Sequence, residues 1–235
     1  MTDDHVATMP GPCERAPLLA GVAGHSLLLV TLVLVVAALT RWRLIDWPGL
    51  FWLASFAAMT AIRLPYHARN RGNAVMAGQR GTAERIVMVG MFATMMVLPL
   101  VHLATGVFAG ADYTLPEWMS AAGAIALAPT PLLFYRSHAD LGRNWSASLE
   151  LQRDHTLVTG GVYARWHHPM YIAIWLSALT QPLLVHNLVA GALVIPAMAA
   201  LWLLRVPQEE AMMRHRFGAD YDAYRERDGR WGARS

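Results

Sequence analysis

Residues 169–204 read PMYIAIWLSALTQPLLVHNLVAGALVIPAMAALWLL and carry no formally charged side chain. A helix needs about 20 consecutive apolar residues to cross a bilayer, and this run is nearly twice that length. It therefore predicts two membrane-spanning helices joined by a turn. Gln181-Pro182 and His186-Asn187 supply the polar and helix-breaking residues that such a turn needs.

Further apolar runs repeat this pattern along the chain. Residues 18–40, 86–110 and 118–135 lack formal charge, and residues 47–62 form a shorter run between Asp46 and Arg63. With 55% hydrophobic and 15% charged residues, the composition departs from that of a soluble domain. We predict an all-α fold, a polytopic membrane helical bundle of about six spans. A polar N-terminal lead covers residues 1–16, membrane spans cover 17–135, and a loop, a helical hairpin and a C-terminal helix cover 136–235.

The basic residues, all of them arginines, predict how the bundle sits in the membrane. Six spans place the loops at residues 65–85 and 136–168 and the C-terminal tail on one face, and leave only Arg41 and Arg43 on the other. The positive-inside rule makes the arginine-rich face cytoplasmic. Because the arginines flank apolar runs and form no basic patch on a soluble module, nucleic acid is excluded as a partner. Exclusive use of arginine is typical of a GC-rich, bacterial genome.

A helix is predicted after the last span by aromatic and acidic residues that recur every three or four positions. From Pro207 onward these are Glu209, Met213, Phe217, Tyr221 and Tyr224, with Gly218 as a point where the helix bends. One interpretation is an amphipathic helix whose arginines contact lipid headgroups. The other is a helix that folds back over a site at the cytoplasmic rim.

Ionisable residues flank the long apolar run on both sides. His168 and Tyr171 stand at its start, and Glu209-Glu210 follow its end, so the hairpin brings them to one rim. Such groups are costly beside hydrocarbon and usually mark function. Carboxylates bind ribose hydroxyls or an ammonium group, and aromatic faces bind a purine or a sulfonium. No metal is predicted, because His25, His102 and His186 lack partners at ligand spacing and the chain has a single cysteine, Cys13.

An ordered set of motifs resembles the isoprenylcysteine carboxyl methyltransferase family of integral-membrane enzymes. The resemblance covers roughly residues 136–227. It comprises HTLVT at 155–159, GVY at 161–163, HPMY at 168–171, TQ at 180–181, Asn187, EE at 209–210 and FGxxYxxY at 217–224. The first two spans carry no match. His167 stands where the family usually has arginine, so the role of that guanidinium is weakened here or taken by Arg165.

The resemblance implies a methyltransferase that uses S-adenosyl-L-methionine and a lipophilic small-molecule or lipid acceptor. It implies a cofactor pocket closed by the C-terminal helix and lined by Tyr163, His168, Tyr171, Glu209, Glu210 and Tyr224. It also implies a catalytic set of Arg136, Asn144 and Glu210, in which Arg136 and Asn144 hold the acceptor oxygen in line. Methyl transfer to a carboxylate, as in isoprenylcysteine O-methylation, needs no base. A lipid amine or thiol acceptor would need one, for which Glu210 or His168 is available.

Two other classes of function stay open at this point. An integral-membrane NADPH-dependent reductase of the sterol type has a similar C-terminal topology, although a dinucleotide phosphate prefers basic partners to the pair Glu209-Glu210. A transporter would place its substrate site near the bilayer midplane, in broken helices. The polar cluster at one rim favours an enzyme.

Overall fold

The computed structural model describes residues 31–70, 75–78, 82–145, 150–152 and 156–228. The predicted N-terminal lead, Cys13, His25 and most of the first apolar run lie outside the described residues. We number the main helices in chain order as α1 Thr31–Thr40, α2 Trp47–Asn70, α3 Thr82–Thr105, α4 Glu117–Asn144, α5 Pro169–Leu184, α6 Leu188–Phe217 and α7 Ala219–Asp228.

The helical architecture predicted from the sequence is confirmed, with one addition. Strand β1, Val75–Gly78, pairs antiparallel with β2, Glu150–Gln152, and the ribbon joins the two long loops that the sequence places on one face. Three helices are long and apolar enough to cross a membrane, namely α3, α4 and α6, while α1 and α5 are apolar but shorter. These helices indicate an integral membrane protein.

The turn inside the long apolar run lies at residues 185–187, where Asn187 holds both sides of it. Its side-chain oxygen accepts hydrogen bonds from the backbone N–H of Val189 (2.9 Å) and Ala190 (2.7 Å). Its amide nitrogen donates to Asp112 Oδ1 and to the Phe108 carbonyl, both at 2.6 Å. Helix α5 continues through Pro182 to Leu184, so the chain reverses at the capping asparagine and the proline stays inside the helix.

Gln181, buried in the middle of the bundle, connects α5 to two neighbouring helices. Its amide nitrogen donates to the carbonyls of Thr94 and Ala190, each at 2.9 Å. Both carbonyls belong to π-helical turns, Ala93–Val97 within α3 and Leu188–Ala192 at the start of α6. A π turn shifts backbone carbonyls out of the regular α ladder, which makes them available to a side chain.

Apolar packing holds the same helices together around two cores. Helix α4 packs on α2 and α5, and α3 packs on α6. One core is built around Trp52, Phe56 and Leu100, and the other around Met91, Met198 and Leu201. Helices α4 and α5 approach closely at Gly123, where an added Cβ would lie 2.8 Å from Leu183 Cβ.

A polar network joins the loops at the rim that contains Arg41. His102 Nε2 lies 3.4 Å from Asp112 Oδ1. His186 Nδ1 lies 3.6 Å from Asp46 Oδ2, and its Nε2 lies 2.9 Å from Ser120 Oγ. These side chains border a cavity of about 570 Å³. The His186–Asp46 contact and the hydrogen bond from Asn187 to Asp112 together tie the three loops of this rim to one another.

The chain after the last apolar run differs from the prediction. Helix α6 continues through Pro207 to Phe217, so the helix expected to begin at Pro207 is an extension of the span. The chain turns at Gly218, which has a positive φ of 53°, and α7 follows at once. The bend expected at Gly218 is therefore the point at which the tail leaves the axis of α6.

Candidate active site

A cavity of about 360 Å³ runs between the helices from the rim opposite Arg41 toward the middle of the bundle. Its walls come from α2, α3, α4, α5 and α6, and α7 borders its rim end. The volume falls in the range of small-molecule sites, roughly 300–1,000 Å³. The rim end is polar and the interior is apolar, so the two ends suit different chemical groups.

The start of α5 presents His168 and Tyr171 to the rim end of this cavity. His168 is the residue before the helix and Pro169 occupies its first position, where the missing N–H costs nothing. His168 Nε2 lies 3.3 Å from Glu210 Oε1, and the Tyr171 hydroxyl donates to Glu209 Oε2 at 3.0 Å. The hairpin therefore brings together the residues that the sequence predicted to meet.

The two adjacent glutamates have different surroundings. Glu209 borders the cavity, whereas Glu210 is not among the residues that border it. Glu210 forms an ion pair with Arg225 of α7 in addition to its contact with His168. Successive helix residues point about 100° apart, which is why neighbouring carboxylates face different partners.

A 3-10 turn, Gly161–Ala164, places Tyr163 against the same cavity. Asp140 of α4 holds this turn by accepting the N–H of Val162 at 2.8 Å. Gly161 has a positive φ of 61°, and a Cβ there would overlap the Asp140 carboxylate. Burial, followed by the nearby charge of Glu209, raises the pKa of Tyr163, so its phenol stays neutral. The phenol donates to the Ser137 carbonyl at 3.3 Å.

Helix α7 covers the rim end through two buried tyrosines, Tyr221 and Tyr224. The Tyr224 hydroxyl donates to the carbonyl of Tyr163 at 2.7 Å. The Tyr224 ring also meets His167 edge to face, with 4.7 Å between ring centroids. Both tyrosines, together with Glu209 and Met213, border the cavity, but Phe217 is not among its bordering residues.

The predicted catalytic residues are placed less uniformly. Asn144 borders the cavity, and its side chain donates to Thr156 Oγ1 at 3.0 Å and accepts the Thr156 N–H at 3.1 Å. Arg136 is exposed on α4 and is not among the bordering residues. The structure therefore does not bring Arg136 together with Asn144, Glu209 and His168.

Two other arginines border the cavity that were not predicted as site residues from the sequence. Arg205 lies one helical turn before Glu209 on α6, and Arg63 lies near the end of α2 with its guanidinium 5.5 Å from the centre of the Trp145 ring. The i, i+4 spacing of Arg205 and Glu209 was a usable signal for Arg205. Arg63 had no such signal, because its position depends on how α2 packs.

The interior of the cavity is apolar and rich in methionine. Six of its bordering residues show this character: Met59, Met88, Met91, Met95, Met96 and Ile174. Methionine side chains are flexible and polarizable, so such a wall adapts to a branched hydrocarbon chain. The structure places Met91, Met95 and Met96 of α3 on this wall.

Comparison with known proteins agrees with the motifs. Residues 125–215 match the isoprenylcysteine carboxyl methyltransferase (ICMT) family. A protein-S-isoprenylcysteine O-methyltransferase of Schizosaccharomyces pombe is 35% identical over 75 residues, 32% of this chain and 32% of the relative. One of Rattus norvegicus is 28% identical over 112 residues, 47% of this chain and 39% of the relative.

A third relative extends the match at lower identity. Protein-S-isoprenylcysteine O-methyltransferase A of Arabidopsis thaliana is 22% identical over 147 residues, 62% of this chain and 75% of the relative. The chain thus matches less than half of the length of the yeast and rat relatives. The matched residues 125–215 include Tyr163, His168, Tyr171 and Glu209. The resemblance of this chain to the ICMT family is therefore confirmed over the region that carries most of the candidate site.

Proposed function

We propose that this chain is an integral-membrane methyltransferase that transfers a methyl group from S-adenosyl-L-methionine to the carboxylate of a lipophilic acceptor. The observation that carries the proposal is one cavity with a polar rim, which Glu209 and Tyr171 border, and an apolar methionine-rich interior. A soluble methyl donor and a greasy acceptor have opposite solubilities, and this cavity offers each a matching end. The names of the yeast and rat relatives support the same reaction.

The donor set at the rim fits S-adenosyl-L-methionine. Glu209 offers a carboxylate to an ammonium group or a ribose hydroxyl, and the rings of Tyr221 and Tyr224 offer faces to a purine or a sulfonium. His168 adds a ring nitrogen at the same rim. When bound, the cofactor supplies an activated methyl whose transfer to a carboxylate cancels two opposite charges, so the protein needs no general base.

The acceptor carboxylate is assigned to Arg205, with Arg63 as a second cation of the same cavity. Because Arg205 and Glu209 share one face of α6, the acceptor anion and the cofactor cation would lie side by side. A guanidinium recognises a carboxylate with two parallel hydrogen bonds, which fixes one oxygen for attack. Arg136 and Asn144 stay predictions from the family resemblance, and Asn144 is the one of the two that borders the cavity.

The proposal includes a bundle of six spans with this site and α7 at the cytoplasmic face. Its support is the apolar character of α1, α3, α4, α5 and α6, with the uncharged run at residues 47–62 of α2 as the sixth span. The arginine asymmetry of the sequence supports the orientation. Membrane lipids surround the bundle, and the acceptor would enter the apolar part of the cavity from the bilayer. We propose an S-prenylated cysteine or a small isoprenoid acid as the acceptor class.

Binding of S-adenosylhomocysteine to the detergent-purified chain tests the cofactor assignment. We expect thermal stabilisation by S-adenosylhomocysteine and none by NADPH, the ligand of the sterol-type reductase alternative. Glu209→Gln should weaken binding about tenfold or more, the cost of losing a hydrogen bond to a charged group. Asp220→Asn removes an exposed carboxylate of α7 and is the matched control, with no expected change. Stabilisation by NADPH alone would refute the proposal.

Transfer of labelled methyl to paired acceptors tests the reaction. An S-prenylated cysteine carboxylate should be methylated, and its carboxamide should not. The label should be released as methanol by alkali, because an ester is alkali-labile whereas an N-methyl or S-methyl product is not. Alkali-stable label would assign the acceptor to a lipid amine or thiol and overturn the carboxylate assignment.

A further inference from the structure

We propose that Arg225 and Glu210 form a positioning pair that orients His168 for the methyl donor. This inference rests on the proposed function, because it concerns the contribution of His168 to the affinity for the cofactor. His168 borders the cavity, and Glu210 and Arg225 do not belong to its bordering residues. Glu210 therefore acts on the site through the imidazole, and Arg225 acts through Glu210 and through its hydrogen bond with Tyr221, which borders the cavity.

The contact geometry places one carboxylate oxygen between two donors. Glu210 Oε1 lies 3.3 Å from His168 Nε2, and the same oxygen forms the ion pair with Arg225 Nη1. The side chains of His168 and Glu210 are only 14% and 19% exposed, so water competes weakly for these contacts. The guanidinium neutralises the charge of Glu210 and holds that oxygen in front of the imidazole.

The ion pair stabilises the charged form of Arg225. Burial of Arg225 opposes that form, but the hydrogen bond and the charge of Glu210, together with Tyr221, outweigh burial and raise the pKa of Arg225. The guanidinium is thus positively charged at every accessible pH. The pair is a permanent element of the tail and does not switch in the physiological range.

The consequence for His168 is a defined arrangement of its two ring nitrogens. An ionised carboxylate only accepts hydrogen bonds, so Nε2 carries the hydrogen that faces Glu210. In the neutral imidazole Nδ1 is then an acceptor, which suits a ribose hydroxyl or an ammonium group. The rings of Tyr171 and Trp202, with centroids 5.6 and 6.1 Å from that of His168, fix the plane of the imidazole.

A second ion pair between the same helices provides a control. Arg214 Nε lies 3.2 Å from Asp222 Oδ1, and the two side chains are 51% and 58% exposed. This pair also joins α6 to α7, but within the part of the chain that the structure describes neither residue forms a hydrogen bond or an ion pair with His168. Attachment of the tail and positioning of His168 can therefore be separated.

The test is calorimetric binding of S-adenosylhomocysteine to the full chain. Arg225→Met should weaken binding about tenfold, as expected for the loss of a charge-assisted hydrogen bond. Arg225→Lys should recover most of the affinity, and Arg214→Met should leave it within about twofold, in keeping with the small worth of an exposed pair. Tyr221→Phe removes the hydrogen bond between Tyr221 and Arg225. In a background that carries both His168→Ala and Tyr221→Phe, Arg225→Met should have no further effect. In turnover assays the KM of the methyl donor should rise while the KM of the acceptor stays unchanged.

Three results would overturn the inference. They are unchanged binding in Arg225→Met, an equal loss in Arg214→Met, or effects of Arg225→Met and His168→Ala that add in the Tyr221→Phe background. If Arg225→Met does not fold, Glu210→Gln provides the same comparison, since it removes the ion pair while keeping the side-chain shape. Failure of the unaltered chain to bind S-adenosylhomocysteine would instead refute the proposed function.

Discussion

The turn at Gly161 should not tolerate any side chain. Gly161 has a positive φ of 61°, and a Cβ at this position would overlap the carboxylate of Asp140. That carboxylate accepts the N–H of Val162 at 2.8 Å and so holds the turn that carries Tyr163. Gly161→Ala therefore strains the backbone and displaces the acceptor of a hydrogen bond in one step.

The size of the effect follows from these two costs. A non-glycine residue with left-handed dihedrals costs about 1–2 kcal/mol. A lost partner of a partly buried N–H costs about 1–3 kcal/mol. The expected loss of stability is thus about 2–5 kcal/mol, which lowers Tm by roughly 4–20 °C for a chain of this size. Because the Tyr163 carbonyl accepts the Tyr224 hydroxyl, the tail should also loosen and S-adenosylhomocysteine should bind at least about tenfold more weakly.

The neighbouring glycine provides the control. Gly160 has extended backbone dihedrals, and an added Cβ there would meet no atom within 4 Å. Gly160→Ala should therefore change Tm and S-adenosylhomocysteine affinity very little. Thermal unfolding in detergent and calorimetry on the two variants decide the matter. Equal behaviour of Gly161→Ala and Gly160→Ala would refute the reasoning from φ and from the Asp140 contact.

Three further predictions concern the acceptor site, the hairpin turn and the orientation. Arg205→Met should lower kcat/KM for the acceptor at least about tenfold while S-adenosylhomocysteine still binds. Substitution of the exposed Arg85 by Met is the control. If Arg136→Ala abolishes turnover and Arg205→Met does not, the acceptor site is misassigned. Asn187→Ala should destabilise the chain by about 3 kcal/mol or more in chemical unfolding, because four hydrogen bonds of 2.6–2.9 Å depend on that side chain, and a loss below about 1 kcal/mol would contradict this account. In a Cys13→Ser background, a membrane-impermeant maleimide should label Thr114→Cys in intact cells and Asp220→Cys only after lysis; the reverse pattern would invert the proposed topology.

The fold was largely predictable because its spans depend on local composition. The runs at residues 86–110 and 118–135 correspond to α3 and α4, and the double-length run contains the turn at 185–187. Two features of the fold differ from the prediction. The sequence suggested a new helix at Pro207, but α6 runs through that proline to Phe217. The ribbon of β1 and β2 was missed, because each strand is too short to show an alternating pattern.

The candidate site was predictable in composition and less so in detail. His168, Tyr171 and Glu209 meet as expected, since the hairpin returns the end of α6 to the start of α5. The roles of Glu209 and Glu210 could not be separated in advance, because neighbouring helix positions face different partners only once α7 is packed. For Arg136, the family resemblance selected an arginine that the structure leaves exposed on α4.

The sequence by itself determined that this chain is a membrane bundle with a polar rim. The free energy of transferring a side chain from water to hydrocarbon depends on that residue and its near neighbours, so it can be read from local sequence. Tertiary structure alone decided that Arg63 borders the cavity, that Glu210 pairs with Arg225, and that Asp140 holds the Tyr163 turn. These contacts join residues far apart in the chain. They depend on helix rotation and packing, which local hydropathy does not encode.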